Sequence, residues 1–253
     1  MLVDTHCHLD APEFDADRAG VIARARAAGI DAQVIPAIEL AGFAALRALC
    51  TAEPGLHPAY GLHPMFLDRH RPEHLDALAH WLASEPAVAL GECGLDYYVE
   101  GLDRDLQRMY FTRQLALARD LDLPLILHAR HAVDDVIAAI RRTGGLRGVV
   151  HSFSGSAEQA RQLWDLGFLL GIGGPVTYER ARRLRGIVAA MPLDFLLLET
   201  DAPDQPLHGH RGERNEPACL REVAAVVAGL RGIDADALAA ATTANARRLF
   251  RID

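Results

Sequence analysis

Short apolar segments alternate with longer amphipathic stretches along the whole 253-residue chain. Continuous apolar runs bounded by turn residues are typical of buried strands, and eight such runs predict eight strands. They lie at 1–4, 32–37, 57–64, 87–96, 123–130, 148–155, 168–174 and 195–203. The stretches between them carry apolar residues three and four positions apart, as at 103–121, which predicts surface helices. A last helical stretch at 234–249 is expected to pack outside the sheet.

This alternation predicts the α/β class. Strands that alternate with helices form parallel sheets, and eight such repeats are the number that closes a (β/α)8 TIM barrel. An open doubly wound sheet is the main alternative, but no Gly-x-Gly-x-x-Gly follows the first strand. No linker or low-complexity segment interrupts the pattern, so one domain over residues 1–253 is expected.

Residues that can bind a metal ion follow six of the eight predicted strands. They are His6 and His8, His63, Glu92, His128, His151 and Asp201. In a barrel of this type the chemistry lies at the carboxyl ends of the strands, so these side chains are expected to share one mouth. A structural role is an equal alternative for any one histidine. Together, the histidines and two carboxylates favour a site for two divalent ions.

The composition excludes catalytic mechanisms that need a lysine, because all 26 basic residues are arginine. Without lysine, neither a carbamylated lysine bridge between two ions nor Schiff-base catalysis is available. Glu92 is therefore predicted to be the bridge, and Gly91 and Gly94 on either side let the backbone approach closely. The net charge of −8 argues against a broad basic surface for nucleic acid, so any recognition of phosphate must be local.

A basic loop at 204–217 is the first candidate for such recognition, because it precedes a predicted helix. The predicted substrate-binding residues are Arg130, Arg211, Arg214 and Asn215. The alternative is that these arginines pair with Glu213 and Glu216 on a solvated surface.

Cysteine usage and hydropathy point to the cytoplasm. The four cysteines are scattered without a Cys-x-x-Cys pair, which predicts neither a disulfide framework nor a structural zinc site. No apolar run approaches the roughly 20 residues of a membrane span, and no basic-then-apolar leader opens the chain. No association with membranes and no obligate protein partner is expected.

The motifs "DTHCHLD", "GLHP", "GE-x-GLD", "LPLILHAR", "HSFSGS" and "LLLETDAP" resemble, in order and spacing, those of the TatD-type metal-dependent hydrolases. The resemblance covers essentially the whole chain. It implies an amidohydrolase-superfamily barrel, two divalent ions per subunit (Mg, Mn or Zn) and phosphodiester hydrolysis, with relatives that act as 3′–5′ exonucleases on DNA. It further implies that one ion is held by His6, His8, Glu92 and Asp201, and the second by Glu92, His128 and His151. Cys93 departs from the aliphatic residue common in relatives, which indicates either packing or sensitivity to oxidation.

Three further roles are predicted from the positions of these residues. Asp201 is the candidate general base. His63 either donates to a phosphate oxygen or the leaving group, or is structural. Glu199 lies two residues before Asp201 on the predicted strand, so a supporting hydrogen bond is expected.

Three functions remain open at this point. The first is a metal-dependent phosphodiesterase that acts on nucleic acid ends, DNA above all. The second is hydrolysis of an ester or amide in a small molecule or an aminoacyl-tRNA. A catalytically silent binding scaffold is the third, but such a protein is expected to have lost a ligand, and none is missing here.

Overall fold

A computed structural model describes all residues, 1–253. Eight strands lie in the order of the sequence, and every neighbouring pair from first to last is parallel. They are β1 (Leu2–Asp4), β2 (Ile30–Pro36), β3 (Leu56–Tyr60), β4 (Ala89–Asp96), β5 (Leu125–Arg130), β6 (Gly148–Val150), β7 (Phe168–Ile172) and β8 (Leu196–Leu198). The predicted (β/α)8 barrel is confirmed, and each predicted strand overlaps an observed one.

The helices cover the outside of this sheet. They are α1 (Arg18–Ala27), α2 (Phe43–Ala52), α3 (Glu73–Ser84), α4 (Arg104–Asp120), α5 (Val133–Thr143), α6 (Ala157–Asp165), α7 (Arg182–Ala190), α8 (Leu220–Arg231) and α9 (Ala235–Phe250). The helix predicted at 103–121 is α4, and Asp103 caps it by accepting hydrogen bonds from the amides of Asp105 and Leu106. No helix combines the length and apolar character that a membrane crossing requires.

Backbone hydrogen bonds bring the first and last strands together. The amide of Thr5 donates to the carbonyl of Leu198 over 3.1 Å, just beyond β1 and at the end of β8. The amide of Asp201 donates to the carbonyl of His6 over 2.9 Å one step further along. The barrel is therefore nearly closed, and the segments that follow β1 and β8 meet at its mouth.

The floor of the barrel is closed by the end of the chain. A buried apolar cluster combines one residue or more from every strand with residues of the C-terminal segment: Val3, Ala32, Val34, Ala59, Ala89, Ile126, Val149, Leu169, Leu197, Ala246, Leu249, Phe250 and Ile252. Helix α9 was expected only outside the sheet, yet its last turn also packs against the barrel interior. The opposite end of the barrel is left for the site.

Candidate metal centre

Two segments joined at the barrel closure hold the first group of candidate ligands. His6 and His8 follow β1, and their Nε2 atoms lie 3.2 Å apart. Asp201 follows β8 and places its Oδ1 atom 3.4 Å from Nε2 of His6 and 3.7 Å from Nε2 of His8. We call these three residues the first ligand group.

Glu92 lies at the centre of the mouth. Its Oε2 atom faces the first ligand group, at 3.2 Å from Nε2 of His6 and 3.6 Å from Nε2 of His8. Its Oε1 atom lies 2.9 Å from Nδ1 of His128 and 2.9 Å from Nε2 of His151. We call His128 and His151 the second ligand group. A single carboxylate thus contacts both groups, one with each oxygen.

Two glycines allow β4 to approach β5 closely enough for this contact. A Cβ atom at Gly94, where φ is +145°, would overlap the carbonyl of His128, and one at Gly91 would lie 2.7 Å from the carbonyl oxygen of Ile126. Any side chain at these positions would push the two strands apart. The close approach expected from the sequence at both glycines is confirmed.

Asp96 fixes the ring of His128. Its Oδ2 atom lies 2.8 Å from Nε2 of His128, while Oδ1 accepts hydrogen bonds from the amides of Tyr98 and Val99. The sequence reasoning missed this residue. A signal was present, because Asp96 lies four positions after Glu92 on the same strand and its side chain therefore points to the same face.

Glu199 supports the second ligand group instead of Asp201. Its Oε1 atom accepts a hydrogen bond from the amide of Ser152 and lies 3.6 Å from Nδ1 of His151. Gly171 makes room for it, since a Cβ atom there would overlap the Glu199 carboxylate. No hydrogen bond joins Glu199 to Asp201, because β8 ends at Leu198 and the alternation of a strand does not extend that far.

Asp201 is held by a residue that the sequence reasoning also missed. The Nε2 atom of Gln205 donates to Oδ2 of Asp201, and to Oγ of Ser152 over 2.8 Å. This leaves Oδ1 of Asp201 facing the first ligand group. Gln205 is four residues further along the loop, where no periodic pattern predicts a contact.

His63 contacts the Oε1 atom of Glu92, the oxygen that also faces the second ligand group. It follows β3 by three residues, and its Nδ1 atom accepts a hydrogen bond from the amide of Met65. Burial lowers the pKa of His63 to about 4, so the ring is neutral and its proton lies on Nε2. That nitrogen donates to Oε1 of Glu92 over 3.0 Å. His63 therefore positions the central carboxylate.

Backbone strain is concentrated around this mouth. Four non-glycine residues in its loops have positive φ angles between 45° and 57°: His131, Ser152, Asp201 and Gln205. Such conformations cost about 1–3 kcal/mol each and persist where surrounding contacts enforce them, which is common at functional sites.

The two ligand groups differ in their proton affinity. Burial, reinforced by the charge of His151, lowers the pKa of His6 well below its ordinary value. Burial also disfavours the charged form of His151, but the carboxylates of Glu92 and Glu199 outweigh it and raise the pKa well above the ordinary value. The pKa of His128 is raised as well, since Asp96 and Glu92 outweigh its burial.

The pKa values of the two candidate carboxylate ligands, Glu92 and Asp201, shift in opposite directions. Burial would raise the pKa of Glu92, but the surrounding His63, His151 and His6 outweigh it and hold that pKa well below the usual range. Burial raises the pKa of Asp201 to about 6. Glu92 is therefore ionised throughout the physiological range, whereas Asp201 titrates close to it.

The donor set fits divalent ions. Imidazole nitrogens and carboxylate oxygens are the ligands preferred by zinc and manganese. The contacts of 3.2–3.7 Å within the first ligand group are longer than the roughly 2.7–2.9 Å of charge-assisted hydrogen bonds. At this mouth, three buried polar atoms have no hydrogen-bond partner: Nδ1 of His6, Nδ1 of His151 and Oε2 of Glu199. Clusters of three side chains that could hold a metal recur here, around His6, Glu92 and His128.

Two of the residues expected to bind phosphate have other partners. Arg214 forms hydrogen bonds with Asp17 and with the carbonyl of Glu13. Asn215 is buried, and its Nδ2 atom donates to the carbonyls of Thr200 and Asp204. These contacts hold loop 204–217 against the barrel, and a role of either residue in binding a substrate stays a prediction.

The other two expected residues remain exposed on the mouth side of the barrel. The guanidinium of Arg130 lies 3.7 Å from the ring centroid of Tyr98, a side chain that is itself 54% exposed. Arg211 is exposed in loop 204–217. Both are placed where a ligand at the mouth can reach them.

Cys93 is fully buried in β4. Burial raises the pKa of its thiol far above the ordinary value, so the reactive thiolate is suppressed. Of the two readings of this residue, the structure favours packing.

A (β/α)8 barrel whose mouth gathers histidines around a shared carboxylate defines the class of metal-dependent hydrolases. The family model described as TatD related DNase matches residues 3–251. The chain belongs to this family.

Individual relatives agree with that assignment. The uncharacterized metal-dependent hydrolase YjjV of Escherichia coli (strain K12) is 42% identical, over 99% of this chain and 98% of its own length. The crystal structure of YjjV superimposes with a TM-score of 0.96 at 40% identity, covering 100% of this chain and 98% of that one. The 3′-5′ ssDNA/RNA exonuclease TatD of Klebsiella pneumoniae (strain 342) is 36% identical over 100% of this chain and 98% of its own length.

A more distant structure shows the wider fold. An uncharacterized amidohydrolase from Saccharomyces cerevisiae has a TM-score of 0.86 at 19% identity, covering 98% of this chain and 99% of that one. This more distant chain therefore shares the (β/α)8 fold.

Proposed function

We propose that this protein is a two-metal phosphodiesterase that shortens nucleic acid, DNA above all, from its 3′ end. The observation that carries the proposal is the position of Glu92, whose two oxygens face two separate ligand groups. Two divalent ions (Mg, Mn or Zn) held there would lower the pKa of water and stabilise the charge that builds up on a phosphate under attack.

Six side chains would hold the ions. The first ion would take His6, His8, Asp201 and Oε2 of Glu92; the two imidazole nitrogens lie 3.2–3.7 Å from each other and from the two carboxylate oxygens. The second would take His128, His151 and Oε1 of Glu92. His63 and Asp96 would act by orienting these ligands.

Asp201 is suited to accept the proton of the attacking water. Gln205 holds its Oδ2 atom, so Oδ1 is kept towards the first ligand group. Burial raises the pKa of Asp201 towards the value at which a general base works best at neutral pH, an effect that a bound cation would oppose.

The choice of nucleic acid has separate support. A relative that aligns over the whole chain is named as a 3′-5′ exonuclease on single-stranded DNA and RNA. Arg130 and Arg211 are exposed on the mouth side and available to phosphate. A concave mouth on a protein of net charge −8 favours a chain end over the long flanks that internal cutting requires.

The test compares a linear single-stranded oligonucleotide labelled at its 5′ end with a circular strand of the same sequence. Stepwise shortening of the linear strand and survival of the circle are expected. Equal cutting of both would contradict the exonuclease proposal. Turnover of generic or aminoacyl esters without cutting of either strand would favour the ester or amide hydrolase instead.

A further inference from the structure

A cleft of about 350 Å³ opens directly beside the second ligand group. One wall begins at Ser152, the residue that follows His151, and continues to Ser154; the C-terminal end of β7 forms another part of the lining. The remaining wall carries Arg180, Arg182 and Arg183, at the start of α7. Its volume lies at the lower end of the roughly 300–1,000 Å³ typical of small-ligand sites, enough for one nucleotide unit.

The arginine wall is unusually basic for this protein. Residues 178–186, "YERARRLRG", contain four arginines and one glutamate, a net charge of +3 in a chain of net charge −8. No carboxylate lies within 4.0 Å of any of these arginines, whereas Arg214 in the basic loop 204–217 is paired with Asp17. Free positive charge therefore concentrates at this cleft.

The arginines have distinct positions. Arg183 reaches across the cleft and donates to the carbonyl of Ser154 over 2.9 Å. Arg180 lies 5.3 Å from the ring centroid of Tyr178 and, like Arg182, makes no hydrogen bond within the protein. Arg180 and Arg182 are exposed, so their guanidinium donors are free for an anion.

We propose that this arginine cleft binds the phosphate next to the linkage that is cut, so that it grips the strand one step away from the metal centre. The inference rests on the proposed function, because it names the part of a nucleic acid that the second side of the mouth holds. Arg180 and Arg182 supply the charge, and the cleft accommodates the sugar and phosphate of one unit.

The test uses the metal-loaded double variant Arg180→Ala/Arg182→Ala. The matched control is Arg142→Ala/Arg247→Ala, which removes two exposed arginines near the ends of α5 and α9, at the floor side of the barrel. Binding is measured by fluorescence anisotropy with a phosphorothioate octanucleotide that resists cutting. Hydrolysis is measured on an ordinary octanucleotide and on bis(p-nitrophenyl) phosphate, which has no neighbouring phosphate.

The double variant is expected to bind the octanucleotide roughly tenfold more weakly, the order expected for loss of hydrogen bonds to a charged group. The slope of log affinity against log salt should fall by roughly 0.7, the value for one phosphate neutralised on a single strand, since both arginines contact the same phosphate. The ratio of kcat/KM for octanucleotide to that for bis(p-nitrophenyl) phosphate should fall about tenfold. The control should match the wild type, and Arg180→Lys/Arg182→Lys should restore the salt slope.

Unchanged binding and salt slope in the double variant would overturn the cleft proposal, and continued cutting by the wild type would leave the proposed function standing. A proportional loss on both substrates would also overturn it, because the arginines would then act at the cut linkage itself. If the wild type binds the octanucleotide through Arg180 and Arg182 but cuts nothing, the proposed function fails, and of the cleft proposal only the binding of a strand by the two arginines stands. Absence of both binding and cutting in the wild type overturns both.

Discussion

The two ligand groups share Glu92 but are supported in different ways. In the second group, a carboxylate faces the ring nitrogen of each imidazole that points away from Glu92. Asp96 lies 2.8 Å from Nε2 of His128, and Glu199 lies 3.6 Å from Nδ1 of His151. In the first group, no carboxylate takes that position at His6: Glu92 and Asp201 both face its Nε2 atom, and Nδ1 of His6, like Nδ1 of His151, has no hydrogen-bond partner. The first group is instead aligned by its backbone, through the hydrogen bond between Asp201 and the carbonyl of His6.

This difference gives the imidazoles of the two groups different affinities for protons and for metal ions. A carboxylate behind an imidazole raises its basicity and fixes its ring, which strengthens it as a metal ligand. It also raises the affinity of that imidazole for a proton, as the raised pKa values of His128 and His151 and the lowered one of His6 indicate. We therefore expect the second group to bind metal more tightly at alkaline pH and to be more sensitive to acid.

The largest effect on metal binding and hydrolysis is expected from a change at Glu92, the residue that contacts both groups. Glu92→Gln keeps the shape of the side chain but removes the charge that both groups share. Bound metal should fall at both positions, and hydrolysis should fall by more than the roughly 10- to 100-fold cost of losing an outer partner. Metal content by mass spectrometry and turnover of bis(p-nitrophenyl) phosphate measure this.

The control for that variant is Glu158→Gln, which removes an exposed carboxylate paired only with neighbouring side chains on α6. It should leave metal content and turnover unchanged. Retention of both ions and normal turnover by Glu92→Gln would show that the two groups do not depend on a shared carboxylate.

A smaller and one-sided effect is expected from Asp96→Asn. Loss of the carboxylate behind His128 should weaken metal binding at the second group by roughly 10- to 100-fold and leave the first group unchanged. Titration with a competing chelator should then remove one ion per chain well before the other. Asp135→Asn, which removes a surface carboxylate bonded to Tyr97 and Arg108, is the control.

Simultaneous loss of both ions from Asp96→Asn would contradict the separation into two groups. In that case Asp96 would support the mouth as a whole, through the amides of Tyr98 and Val99 that it also holds.

The same contrast explains how much of the site was visible in the sequence. His6, Glu92 and His151 could be found because a barrel places the residues that follow its strands at one mouth, whatever the loops do. Asp96 and Glu199 could not be assigned to their histidines, since no pattern along a strand tells which side chain of a neighbouring strand a carboxylate contacts.

Loops were the least predictable part. The positive charge in loop 204–217 is partly neutralised by Asp17, a residue 197 positions away from Arg214. The arginines at 178–186 were not predicted to bind substrate, because no local sequence pattern indicates that this segment lines a cleft beside His151. Charge in the sequence predicts a binding surface only where the fold leaves it unpaired.

The smallest expected effect is a difference in pH dependence between the two ions. The pKa values of His128 and His151 are raised in the folded protein, so in the absence of metal both rings retain protons at a pH where free histidine has lost them. An ion that binds there must displace those protons. Affinity at the second group should therefore fall as the pH is lowered through the raised pKa values, by up to about tenfold per pH unit for each proton displaced.

The first group should be less affected between roughly pH 8 and 7, because the ring of His6 is already unprotonated there and Asp201, with a pKa of about 6, is still largely ionised. Metal-binding isotherms over that range should show one ion whose affinity falls with pH and one whose affinity changes little. In Asp96→Asn the sensitivity of the second ion should decrease, since the group that raises the pKa of His128 is gone. Parallel loss of both ions with falling pH, in wild type and variant alike, would show that the carboxylates behind the second group do not set its proton affinity.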